Sequence, residues 1–133
     1  MKEIINNGII VARYISIDDI KPGLNFFSND SDFIQVGVWG HYEKNKELKA
    51  HVHNKVERNI NRTYEVLYVI TGCIEATIYD LEGTYICKII VNRGEILTLL
   101  ECGHGYIIKG EDTTVLEIKN GPYLGPEIDR RRI

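Results

Sequence analysis

The sequence predicts an all-β fold of the sandwich or jelly-roll type, and three observations carry that prediction. Short runs rich in Ile, Val, Thr and Tyr recur along the chain. Turn signals separate them at intervals of about ten residues. No stretch shows sustained helical periodicity. At 133 residues the chain reads as a single domain, long enough to bury a modest core without staples.

The expected strands are Ile9–Tyr14, Phe33–Trp39, Ala50–His53, Glu65–Thr71, Ile74–Tyr79, Thr84–Val91, Glu95–Leu100, Gly105–Lys109 and Thr114–Lys119. Ser16 to Ile20 suits one short helical turn, capped by Ser16 and stopped before Pro22. Gly72 joins two strands tightly, and Asp80-Leu81-Glu82-Gly83 reads as a hairpin turn. The segment Lys119 to Glu127 holds two prolines and two glycines and is expected to lie irregularly over the surface or against a partner.

Composition excludes several function classes. A net charge of −3 and a single basic run, Arg130-Arg131-Arg132, give no nucleic-acid footprint. No apolar run is long enough for a membrane span. Met1 to Asn7 lacks the apolar core of a secretion signal. Cys73, Cys87 and Cys102 form no Cys-x-x-Cys pair, which fits a reducing, cytoplasmic setting.

The chemistry-bearing residues are concentrated. His51 and His53, at i and i+2 on a strand, point to one face. Glu65 opens a later strand and shares that face if the strands pair in register. His104 opens another. Three imidazoles and one carboxylate on one inner wall make a metal site. Leu67 and Val69 share the side of Glu65, which places it at the rim of the core. A carboxylate there needs a metal, an Arg or protonation. His41 reads as a surface or neighbouring residue.

These residues resemble the cupin family, small β-barrels of jelly-roll topology. His51-Val52-His53, then Glu65, six intervening residues and Gly72, resemble the first cupin motif. Gly94-Glu95-Ile96-Leu97 and Cys102-Gly103-His104 resemble the second, and the whole resemblance covers roughly residues 35 to 119. The likeness implies metal ligands at His51, His53, Glu65 and His104, and one divalent transition ion: Fe, Mn, Ni or Zn. The chain departs from the family pattern in four places, one being that the Asn the family carries after its last His is absent here. Eleven residues, Asn54 through Tyr64, separate His53 from Glu65, and Glu57 stands at the shorter spacing and competes for the ligand role. Leu100 stands where the family has Pro, and Cys102 where it has Gly.

Arg58 and Arg62 flank the expected mouth, either as a clamp for an anionic group of a substrate or as part of a solvated loop. Tyr106 shares parity with His104, so its hydroxyl is a candidate proton donor as well as a core residue. The leading expectation is a metal-dependent enzyme acting on a small oxygenated molecule such as a sugar, sugar derivative or keto acid. The alternatives are a non-catalytic binding module and a metal-free isomerase or epimerase on a nucleotide-linked sugar. There a histidine is the base and Tyr106 the acid. The segment Ile4–Tyr14 is apolar on both faces, which predicts pairing with a second copy into a homodimer.

Overall fold

The computed structural model describes all 133 residues. Ten antiparallel strands carry the fold: β1 (Lys2–Asn6), β2 (Ile9–Ile15), β3 (Gly23–Phe26), β4 (Gly37–Gly40), β5 (Glu65–Thr71), β6 (Cys73–Tyr79), β7 (Tyr85–Asn92), β8 (Ile96–Leu99), β9 (Gly103–Ile108) and β10 (Thr114–Lys119). One 3-10 turn, Ile17–Asp19, and one short helix, α1 (Pro126–Asp129), complete it. The all-β prediction holds. No helix is long and apolar enough to cross a membrane.

The strands form a five-stranded sheet in the order β1-β2-β8-β5-β10, a three-stranded sheet in the order β7-β6-β9, and a β3–β4 ribbon. No pairing joins the sheets into a closed barrel, so β10 and β9 each keep a free edge. The two larger sheets share one core. Leu67 and Val69 of β5 and Leu97 and Leu99 of β8 meet Ile74, Ala76 and Ile78 of β6 and Ile89 and Val91 of β7. Alternation makes this possible, because every second residue of each strand faces inward. A second, smaller cluster lies on the outer face of the five-stranded sheet. There Phe27 and Val36 cover Ile15, Val66 and Ile96.

The N-terminal segment folds differently from the single paired strand expected of it. It turns back at Asn7–Gly8, where φ is +50° and +79°. Positive φ at both central residues is the geometry of a two-residue hairpin loop, and Asn-Gly is its preferred sequence. β1 therefore pairs with β2 of the same chain. Ile4, Val11, Ala12 and Ile15 enter the chain's own cores, leaving Ile5 and Ile9 exposed at the edge.

The expected turns form. Asp80 Oδ1 accepts the N–H groups of Glu82 at 3.0 Å and Thr84 at 2.7 Å, which closes the β6–β7 hairpin. Gly72, at φ +71°, joins β5 to β6 where an added Cβ would overlap Thr113. Gly72→Ala is expected to cost about 1–3 kcal/mol, since a Cβ there meets Thr113 and the left-handed backbone disfavours any side chain. A urea titration checks this, and an unchanged midpoint would mean the loop relaxes freely.

One expected strand is missing. Residues 41 to 62 are exposed throughout, and Ala50–His53 forms no strand. The segment around it is rich in Asn and charge: Lys55, Glu57, Arg58, Asn59 and Asn61. With so little apolar surface to bury, it has little to offset the entropy of ordering. Phe33–Trp39 is likewise reduced to β4 at its C-terminal end.

Candidate functional site

The polar residues that the fold draws together lie at one end of the inter-sheet core, between the edge strands β9 and β10. Glu65 opens β5 on its inner face, with Leu67 and Val69. β8 places Leu99 directly beside it. From the other sheet, His104 and Tyr106 face inward, paired with Ile78 and Ala76 of β6. Lys119 ends β10 directly opposite Glu65, and Glu117 lies two residues before it on the same face.

The geometry is that of a carboxylate held from both sides. Glu65 is only 6% exposed. Its Oε1 lies 2.7 Å from Lys119 Nζ and its Oε2 3.1 Å from His104 Nε2. The Tyr106 hydroxyl donates to Oε2 at 3.4 Å, and its ring stacks on the imidazole with centroids 5.3 Å apart. Lys119 is shared with Glu117 Oε1 at 2.9 Å. Lys119 and His104 compensate Glu65, in place of the metal, Arg or proton expected from its position. His104 Nδ1 is buried and has no hydrogen-bond partner.

Electrostatics follow from this packing. Burial pushes the Glu65 carboxyl up, but the hydrogen bonds from His104 and Lys119 outweigh it and bring it down to about 2. Burial first, then the charges of Glu65 and Glu117, push the Tyr106 hydroxyl well above its ordinary value, so it stays protonated. Cys102, next to the site, is pushed up to about 12, chiefly by burial. That thiol is a packing group instead of a nucleophile.

The sequence-derived candidates divide. Glu65, His104 and Tyr106 come together. His51 and His53 stand exposed on the irregular 41–62 segment, with their rings 5.0 Å apart edge to face. Glu57 and Arg58 lie on the same segment. Arg58 Nη1 donates to the Val56 carbonyl at 3.4 Å, and Arg62 Nε lies 3.1 Å from Glu101 Oε2, so its charge is already paired. No three His, Cys, Asp or Glu side chains are grouped as a metal would need. Of the four donors the cupin likeness implies, Glu65 and His104 touch. However, Lys119 occupies the carboxylate oxygen that His104 leaves free. The four donors are therefore not gathered around one point.

Lys119 and Glu117 are the site residues that sequence reading does not single out. Both expected strands, Glu65–Thr71 and Thr114–Lys119, form with those bounds. Their pairing, which sets Lys119 against Glu65, is a long-range event that no local pattern announces. Asn120 ties down the entry to β5. Its Oδ1 accepts the Tyr64 N–H at 2.7 Å, and its Nδ2 donates to the Arg62 carbonyl at 3.1 Å. A scan against protein-family models and searches of curated proteins and of solved structures find no match to this chain.

Proposed function

We propose that Glu65, His104, Tyr106 and Lys119 form the acid–base centre of an enzyme acting on a small oxygenated molecule such as a sugar or sugar derivative. The reaction is a proton transfer next to a carbonyl, of the isomerase or epimerase type. The observation that carries this reading is the Glu65–His104 contact of 3.1 Å, with the Tyr106 hydroxyl on the same carboxylate. Glu65 holds the Nε2–H of His104, which leaves Nδ1 as the proton acceptor. Lys119 holds the other carboxylate oxygen and fixes the orientation of the pair. The base removes a proton from carbon, and Tyr106 gives its hydroxyl proton to the carbonyl oxygen as the enol forms. The protonated His104 then delivers its proton to the former carbonyl carbon while the neighbouring hydroxyl of the enediol returns a proton to the Tyr106 oxygen, which completes the isomerisation and restores both groups.

A second reading, a metal-binding cupin, is favoured by the meeting of Glu65 and His104, two of the four donors implied by that likeness. One experiment separates the two. Solvent-deuterium exchange into a panel of aldoses, ketoses and nucleotide-linked sugars is followed by NMR with chelator-treated protein. Exchange is expected to persist, and His104→Gln and Tyr106→Phe are expected to lower it about 10²–10⁴-fold. Exchange that vanishes on chelation, returns with an added divalent ion and is absent in the His51→Ala/His53→Ala variant would favour the metal reading instead.

A further inference from the structure

The β3–β4 ribbon turns one of its faces away from the core. Val38 packs inward with the cluster that holds Ile15, Val66 and Ile96, so alternation sends its neighbour Trp39 to the other side. Trp39 stands directly across the ribbon from Leu24 and is 67% exposed. An indole ring left in water forgoes the burial that normally stabilises so large an apolar surface.

Leu24 and Trp39 form part of the wall of an open pocket of about 450 Å³, a volume in the range of small-molecule sites. Tyr42, Leu48 and Ala50 of the irregular 41–62 segment complete its apolar lining. The other wall residues are Lys49 and His51, and no carboxylate is among them. All seven wall residues are exposed, so a ligand can reach each of them. Lys49 joins none of the chain's ion pairs. Its carbonyl lies 3.2 Å from His51 Nδ1, which ties the two polar residues of the wall together. Glu43 and Glu47 of the same segment lie outside the wall and are offset in charge by Lys44 and Lys46.

We propose that this pocket binds a flat aromatic ring carrying an anionic group, a carboxylate or a phosphate ester. The apolar lining selects the ring, which stacks on Trp39 and covers Leu24 and Leu48. A sugar would leave most of its hydroxyls without partners against such a wall. Charge selects the anion. Lys49 brings three N–H donors and a positive charge that no carboxylate of the wall neutralises. A cationic ring would meet that charge with no acid to offset it. None of the wall residues belongs to the Glu65 centre, so the inference is independent of the acid–base reading.

Trp39 is the chain's only tryptophan, so its fluorescence reports on this pocket alone. The test is a fluorescence titration of the full chain, excited at the red edge where the probes do not absorb. Benzoate and phenylacetate are compared with their amides, and adenosine monophosphate with adenosine. At least one acid is expected to change the emission saturably and to bind more tightly than its neutral counterpart. A response to the carboxylates or to the nucleotide supports the proposal, and which of them responds identifies the source of the anion. Lys49→Met is expected to weaken the acid about twofold to fivefold, the worth of an exposed ion pair, and to leave the neutral counterpart unchanged. Leu48→Glu puts a carboxylate into the wall at an exposed position outside the strands, so the fold tolerates it, and is expected to abolish binding of the acid. No saturable change with any acid, equal affinity for acid and neutral counterpart in the wild type, or acid binding unaffected by both variants would each overturn the proposal.

Discussion

Arg13→Ala is expected to lower the unfolding free energy by about 3–5 kcal/mol, the usual cost of breaking a buried ion pair from one side. Arg13 is 1% exposed and holds two carboxylates, Glu3 and Asp32. Asp32 is only 14% exposed at its side chain, so its charge stays out of water when the guanidinium goes. The loss also frees the 29–33 loop, because the same carboxylate holds the Asn29 N–H. Urea denaturation measures the effect. The double variant Arg13→Ala/Asp32→Ala is expected to be less unstable than the sum of its parts, since the stranded charge is removed with its partner. A loss below about 1 kcal/mol in the single variant would mean that both carboxylates rehydrate without strain.

Glu65 dominates the second expectation, the behaviour of the fold in acid. Its carboxyl lies at about 2 in the folded chain against 4.5 when unperturbed. A group depressed in this way contributes its stability fully above the unfolded value and loses it as pH falls through the folded one. That contribution is on the order of 3 kcal/mol, from the size of the shift. Stability is therefore expected to fall between about pH 4.5 and pH 2. In Glu65→Gln that part of the fall is expected to disappear, and the variant is expected to be weaker than wild type at neutral pH, where Lys119 and His104 lose their anion. Midpoints of urea unfolding from pH 7 down to pH 2.5 give the comparison. Parallel curves for the two proteins would show that the carboxylate is not held as tightly as its distances to Lys119 and His104 indicate.

Much of the architecture is legible in the sequence. Strand existence followed from local composition: β5 and β10 have the bounds that their Val, Ile, Leu and Thr content predicts, and the Asp80–Gly83 turn closes as its residues require. The Asn7–Gly8 hairpin was also written in the sequence. Apolar residues on both sides obscure it. Much of the apolar surface of Ile4–Tyr14 goes into the chain's own two cores, while Ile5 and Ile9 stay exposed at the edge.

The candidate site divides along the same line. Parity alone put Glu65 on the inner face and implied that it needs a partner, because alternation along a strand is a local property. Parity likewise set Tyr106 beside His104. The identity of the partner was beyond local reading. Lys119 reaches Glu65 only through the β5–β10 register, and His104 only through the stacking of two sheets. The same holds for His51 and His53. Their spacing marks a shared face only if the backbone there is extended, and the Asn- and charge-rich stretch around them buries nothing that would hold it so. Sequence by itself determined the fold class, most of the strands and the inward face of Glu65, all of which depend on neighbours within a few residues. Tertiary structure alone decided which charges meet, because those contacts join strands far apart in the chain.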